Sequence, residues 1–593
     1  MGAGDDPGRR AVRLRRAAAV VAVFVALTAV LTLPLSLDPG TRALPLSADT
    51  RLFLWTLSWD VHALLHQPLR IFDANIFHPE PRTLAYSEHL IGSAVIGAPF
   101  LWATDNPVLA LNVIVLLSCV LSGAGTFLLA RQLRISTAGA LAAGVIFAFA
   151  PPRFTRLAQL HLATVQWIPF CLAFVHAYLQ AGRRRDLVVA IAFFTLQSVT
   201  SGHGGLFLLL SLMALALYLV VRRSLPPVRT LARDVGVAGL LLLALNLPFL
   251  VPYFRVQREL GLRRTIGAVY EWVPNAASFL ASPTHVDRAL VSLVPPLEEA
   301  VAGARAYMFP GWLTLLLVGA LLWRRASAED PTRSAPARHP AHVNDPAQAL
   351  GETRGPGVGF YWLLAGLSLW ASLGPPFGLY TLLYRLLPGF DLIRVPSRLA
   401  ILTLLAWAIL AGAGAARLVE WVRPGARGIL GVALVLLLAL EFAAFPLKAP
   451  PYAIEVGEVD RWLAGVPRPF VAAELPVAPP TDAIASARYH SHYMLHSMLH
   501  WQKVVNGYSG FIPPRHEALF DQLTRFPDEA SVRALEKLGV NYVVLHRGDY
   551  GEERFAKATA DAQALFPTRL VLEHEASDGR VYSVRFAQAK GRW

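Results

Sequence analysis

HLIGSAVIGAPFLWAT, residues 89–104, is the stretch that decides how the rest of the chain is threaded. It is apolar, begins behind Glu88 and ends before Asp105, and reads either as a membrane span or as a helix lying in the interface. On either side of it, apolar runs near residues 17–36, 107–130, 137–151, 162–180, 187–201, 204–221, 235–252, 307–323, 359–374, 398–416 and 428–445 predict about eleven spans. Arginine placement separates the two readings. If 89–104 does not cross, the chain starts inside, and Arg131/Arg134, Arg183–Arg185, Arg222/Arg223/Arg229/Arg233, Arg324/Arg325 and Arg417/Arg423/Arg427 all fall on the cytoplasmic side. If it crosses, every one of those clusters falls outside. The segment is therefore expected as an interfacial or re-entrant helix within a first outer loop over residues 37–106.

Composition agrees with a membrane chain. Of 593 residues only 16% are charged and 55% are hydrophobic, with a mean hydropathy of +0.45, against about 25% charged in ordinary soluble chains. The net charge of +14 comes largely from arginines flanking apolar runs, so it reads as membrane orientation and not as a nucleic-acid surface. Cys119 and Cys171 both sit inside apolar runs and make no disulfide framework. Residues 17–36 follow a basic segment over 1–16 but exceed a signal-peptide apolar region and lack a small-x-small cleavage site, so they read as an uncleaved first helix. The expected fold is mainly α: a polytopic transmembrane bundle over 17–445, N-in and C-out, with an extracytoplasmic α/β domain over 446–593.

Two segments break the apolar pattern. Residues 326–358 are rich in Ala, Pro, Gly and Arg without apolar period, and read as a disordered cytoplasmic linker. In the tail, EASVRALEKLG at 529–539 carries a helix period ending in Gly539, NYVVLH follows as a strand, and 569–587 reads as a hairpin turning at Asp578-Gly579. Walker A, G-x-G-x-x-G, H-E-x-x-H and C-x-x-C signatures are absent, so no nucleotide cofactor is expected. Gly507-Tyr508-Ser509-Gly510-Phe511 lacks the last glycine of a nucleophile elbow.

Polar residues concentrate in the first outer loop: SADTRLFLW at 47–55, WDVHALLHQP at 59–68 and FDANIFHPEPRTLAYSEHL at 72–90. A long outer loop after the first helix, with an acid near its start and an interfacial helix at its end, resembles the GT-C superfamily of integral-membrane glycosyltransferases. PPRFTRLAQLHL at 151–162, FPGW at 309–312, LPGFDLIRVPSR at 387–398 and VVNGYSGF at 504–511 strengthen the resemblance, and look like a bacterial branch near the YfhO-type membrane proteins. The resemblance implies sugar transfer, with inversion, from a polyprenyl-phosphate-linked donor to an envelope glycan, lipid or protein at the outer face of the bacterial inner membrane. It also implies that the loop aspartate, here Asp49, acts as general base on the acceptor or helps hold a divalent metal near the phosphate.

Each candidate has a plainer reading beside it. Asp49 could instead cap the helix starting near Thr50, and Glu88-His89, a candidate active-site pair, could simply favour a helix N-terminus. Asp60 and His62 are expected to face water, and Asp73 to form a turn. Arg153, Arg156, Arg394 and Arg398 lie at outer ends of spans, where they could bind the donor phosphate or reach lipid headgroups. Tyr270-Glu271-Trp272 offers a sugar platform or an interfacial aromatic belt. His161 and His203 read as interfacial histidines. His492, His496 and His500 recur every four residues, a spacing open to metal ligation or to a helix over the site mouth. A flippase for lipid-linked glycans and a non-catalytic scaffold are the rival functions. The former calls for ionisable residues within spans, of which Glu441 is the main one.

Overall fold

The computed structural model describes residues 7–45, 47–223, 228–261, 265–323 and 357–585. The linker expected over 326–358 lies outside these except for its last two residues, as do residues 1–6 of the basic N-terminus. Eight helices among the described residues are long and apolar enough to cross a bilayer: Leu14–Leu31, Pro107–Gln132, Thr137–Phe154, Leu160–Ala181, Gly202–Val221, Ala232–Leu260, Pro396–Trp421 and Pro424–Glu441. The other three expected spans are shorter helices, Arg184–Thr200, Trp312–Leu322 and Gly359–Ser372, of 17, 11 and 14 residues. At a rise of 1.5 Å per residue they cover about 17–26 Å, less than a hydrocarbon core of about 30 Å. Ile91–Thr104, at 14 residues, is short in the same way.

The bundle is organised around Ala400–Trp421. Its sequence is apolar on all sides, and it is enclosed by Thr137–Phe149, Trp312–Leu322 and Gly359–Ser372. Small residues make this possible. A Cβ on Gly412 would stand 2.6 Å from the Gly139 carbonyl oxygen, and one on Gly414 only 1.8 Å from that of Leu317, so backbones touch where side chains would otherwise hold them apart. Ala232–Leu260, by contrast, lies at the periphery with Leu240, Leu243 and Val237 exposed, the surface a lipid phase accepts.

The tail carries a five-stranded sheet of β1 (Val471–Leu475), β2 (Lys503–Val504), β3 (Tyr542–His546), β4 (Leu570–Glu575) and β5 (Gly579–Val584), in the order β2-β1-β3-β5-β4. β1 runs parallel to β2 and β3, while β5 is antiparallel to β3 and β4. The expected local features are present. Asp528 caps Glu529–Lys537 by accepting from the Ser531 amide at 2.8 Å, Gly539 takes φ +70°, and the β4–β5 hairpin turns before Gly579.

Sheet and first loop are sewn together. The Val504 amide donates to the Asn75 carbonyl at 2.7 Å, the His78 amide to Val504 at 2.9 Å and the Phe77 amide to Asn506 at 3.1 Å. The Phe77 ring occupies the space a Cβ on Gly507 would need, 2.7 Å away, and His62 stacks on Trp501 with centroids 4.6 Å apart. Ala48–His66 packs against the tail helix Ala483–His496, and Met494 and Leu495 of that helix share one core with the apolar residues of Ala48–His66. Gly414→Ala is expected to cost about 1–3 kcal/mol by forcing Trp312–Leu322 off the central helix, seen as a lowered thermal midpoint of the detergent-solubilised protein.

Candidate active site

Ser47, not Asp49, caps Ala48–His66: its hydroxyl accepts the Thr50 amide at 3.3 Å. Asp49 sits in the first turn with its carboxylate directed to the tail, where the Tyr508 hydroxyl donates to Oδ1 at 2.7 Å. Burial, and then the Asp49 charge, raise the pKa of that hydroxyl, while the positive charge of Arg394 pulls it the other way. The Arg394 guanidinium lies over the Trp272 ring, 5.0 Å from its centroid. Residues from the first loop, the 3-10 helix Ile266–Trp272, the LPGFDLIRVPSR segment and the tail thus meet around one carboxylate–phenol pair.

A second charged centre gathers at the start of the helix Gly202–Val221. Glu88 Oε2 accepts from the Gly202 amide at 2.9 Å and the His203 amide at 3.4 Å, at the positive end of Gly202–Val221. Oε1 is hydrogen-bonded to His203 Nδ1. The other ring nitrogen, Nε2, is 2.9 Å from Arg398 Nη1. An arginine only donates, so Nε2 accepts and the imidazole proton resides on Nδ1, facing the carboxylate. Arg156 donates to Ser397 Oγ at 3.1 Å, and burial together with Arg398 lowers its pKa to about 10. The His161 ring lies 5.0 Å from that of His203 and 5.3 Å from Phe53, one turn beyond Asp49. Arg394 and Arg398 sit four positions apart and act on the two centres respectively, so LPGFDLIRVPSR spans them both.

Glu88, His161 and His203 place ligand atoms within 4.8 Å of one another. Arg398 contacts His203, and the charges of Arg398 and Arg156 both act on His161, so two guanidinium groups face a cluster with one carboxylate, a balance that suits a phosphate better than a divalent cation.

No family model and no curated protein matches this chain. Among solved structures it is similar to the arabinofuranosyltransferase AftD from Mycobacteria, at 14% identity and a TM-score of 0.52, over 96% of this chain and 40% of that one. A mutant of AftD gives a TM-score of 0.57 over 41% of its length, again at 14% identity. ArnT from Cupriavidus metallidurans, bound to undecaprenyl phosphate, aligns over 95% of this chain and 97% of its own, at 13% identity and a TM-score of 0.45. The chain shares the fold of the aligned part of AftD. It spans less than half the length of AftD.

Within this fold several expected site residues are employed elsewhere. His89 is turned away from Glu88: its Nδ1 and its amide both meet the Tyr253 hydroxyl at 2.8 Å, and its ring stacks on Phe249. The partner of Glu88 is His203 instead. Arg153 is fully buried and donates to the carbonyls of Ala148 and Ala163, both at 2.7 Å, and to Ser118 Oγ at 3.0 Å, so its guanidinium cross-links the bundle and is turned away from any donor phosphate. Asp60 is also fully buried, against the expectation that it faces water, and accepts the Leu90 amide at 3.0 Å at the start of Ile91–Thr104. Burial raises its pKa to about 8 despite that hydrogen bond. His62 is half-buried against Trp501, and burial, then His66 and Arg468, lower it to about 4. Asp73 does serve a turn, accepting the Arg82 amide at 2.9 Å. Tyr270 and Glu271 are exposed, and only Trp272 of that trio meets a candidate arginine. His492 and His496 lie on Ala483–His496, but the helix ends there and His500 packs on Phe470.

Tyr508 is the member that sequence reasoning missed, and His203 was read only as an interfacial histidine. The signal for Tyr508 was its place in VVNGYSGF, whereas His203 had none beyond a helix start.

Asp60→Asn is expected to stabilise the protein at pH 8 more than at pH 4. A raised carboxyl pKa means stability is lost between the unfolded value near 4 and the folded value near 8, and the amide removes that loss. Thermal unfolding across pH measures it. Arg153→Ala is expected to cost about 3 kcal/mol or more, because two carbonyls and a hydroxyl lose their donor inside the bundle. The same assay reads it as a lowered midpoint.

Proposed function

We propose that this chain is a membrane glycosyltransferase that takes a sugar from a polyprenyl-phosphate-linked donor and passes it, with inversion, to an envelope glycan, lipid or protein. One observation carries the reading. Asp49 opens the loop helix and is held by Tyr508 from the tail, a hydroxyl that feels the charge of Arg394, while Arg398 of the same LPGFDLIRVPSR segment reaches His203, so one segment carries arginines toward both the base and the histidine. In the reaction the acceptor oxygen attacks the anomeric carbon on the face opposite the phosphate, and the bond from that carbon to the phosphate oxygen breaks. Asp49 takes the acceptor proton. Arg394, Arg398 and Arg156 neutralise the departing polyprenyl phosphate, and His203, fixed in one tautomer by Glu88, orients Arg398. Trp272 offers the sugar an apolar face.

We place the basic helix ends in the cytoplasm of a bacterial inner membrane and residues 446–593 outside it. The positive-inside rule supports this orientation, and the shared core of loop and tail supports a common side for both. The flippase alternative draws little support from Glu441, which accepts the Leu313 amide at 3.1 Å and so caps Trp312–Leu322 at the end of a span.

Mass spectrometry of envelope glycans tests the reading, in a deletion strain complemented at matched protein level. Asp49→Ala is expected to remove one sugar substituent, a loss of about 10²-fold or more in transfer. Arg398→Lys is expected to keep the charge yet lose the forked contact, lowering transfer by about tenfold. Full rescue of the glycan profile by Asp49→Ala would overturn the assignment.

A further inference from the structure

A second polar cluster lies within the tail. Glu474 on β1 pairs in register with Val544 of β3. His546 stands two residues further along β3, so both side chains leave the same face of the sheet. Both also sit near the C-terminal ends of parallel strands, the edge at which such sheets open toward ligands. His496 closes the group from the last turn of Ala483–His496, and Asp460 from the helix Glu458–Ala464.

Glu474 Oε2 is 2.5 Å from His546 Nε2, and Asp460 Oδ2 is 3.3 Å from His496 Nδ1. One ligand atom from each of the four residues lies within 4.8 Å of all the others. Asp460, Glu474 and His546 are buried, at 2%, 0% and 7% exposure. Two atoms in the cluster have no hydrogen-bond partner: Glu474 Oε1, on a side chain with no exposure at all, and His496 Nδ1, which is out of line with Asp460. A carboxylate oxygen buried in this way carries a desolvation cost that a cation would offset.

We propose that Asp460, Glu474, His496 and His546 bind one divalent cation of the zinc class between the sheet and the helix Ala483–His496. Two carboxylates and two neutral imidazoles make an uncharged complex with such an ion, and the oxygen–nitrogen donor set suits its tetrahedral preference. Bonds of about 2.0–2.1 Å set tetrahedral edges of about 3.3 Å, so the widest-spaced ligands close in by at most about 1.5 Å on binding. Each imidazole presents an unprotonated nitrogen to the ion. The site is distinct from the expected His492/His496/His500 row, sharing only His496, because the helix ends before His500. Its effect is mechanical. Ala483–His496 packs against Ala48–His66, and Ser491 accepts a hydrogen bond from Arg51 at 3.3 Å, so the ion would clamp the tail helix that lies against the Asp49 helix.

The test uses the full chain in detergent, stripped with a chelator and titrated with Co²⁺ and then Zn²⁺. Binding of about one Co²⁺ per chain, with visible absorption bands that Zn²⁺ abolishes, is expected. Glu474→Gln and His496→Asn are each expected to weaken binding by about tenfold or more, while Glu88→Gln, in the other histidine–carboxylate cluster, leaves the bands in place. Zn²⁺ is also expected to raise the thermal midpoint of the unaltered protein, a readout that needs no variant to fold. The proposal is overturned if the wild type shows no bands, if they survive both tail substitutions, or if they vanish in Glu88→Gln alone.

Discussion

The structure depends on a short backbone seam between residues 75–78 and 504–506, closed by the Phe77 ring lying where Gly507 has no side chain. Three amide–carbonyl bonds and one aromatic contact are modest individually. They nevertheless determine where Tyr508 stands, because it follows Gly507 directly. A larger residue at 507 would push the tail loop off the first loop and carry the phenol away from Asp49. The seam also explains why polar groups can be gathered between loop and tail: apolar contacts on either side, Trp501 with His62 and Tyr86 with Phe511, provide the rigidity that the charged residues do not.

Arginine takes two opposite roles within a few residues. Arg153 is surrounded by carbonyl dipoles and a hydroxyl, which take up both of its terminal nitrogens inside the bundle. Arg156 and Arg398 stand close enough to repel each other, which costs energy that an arriving phosphate would recover. From sequence the two cases are indistinguishable, since PPRFTR places both arginines beyond the same span. What separates them is the direction of the side chain, set by the turn between Thr137–Phe154 and Leu160–Ala181.

Much of the fold was legible because it rests on periodicity and punctuation. Long apolar runs, the Asp528 cap, the Gly539 helix end and the hairpin before Gly579 are local signals, and each gave an element where expected. The count of spans was less legible: runs such as 307–323 and 359–374 are apolar for long enough, but their helices begin or stop inside the run, at Trp312 and Ser372. In the site, Asp49, Glu88 and the Arg394/Arg398 pair were readable as residue types in polar loops. Their partners were not, since Tyr508 and His203 reach them across long stretches of chain, and nothing local marks a tyrosine or histidine for that task. Asp60 misled for a related reason. Its neighbours alternate, but its carboxylate answers an amide thirty residues away at Leu90.

Tyr508 follows Asp49 by 459 residues. A ribosome that has inserted the whole bundle has therefore not yet supplied the hydroxyl that holds the loop carboxylate, nor the strand edge that pins the loop. The apolar helices can settle in the lipid early, while the Asp49–Tyr508 pair waits for the last quarter of synthesis and for that segment to reach the loop. Order of manufacture thus becomes a safeguard: a half-made chain can occupy the membrane, but its loop carboxylate stays without the phenol that holds it.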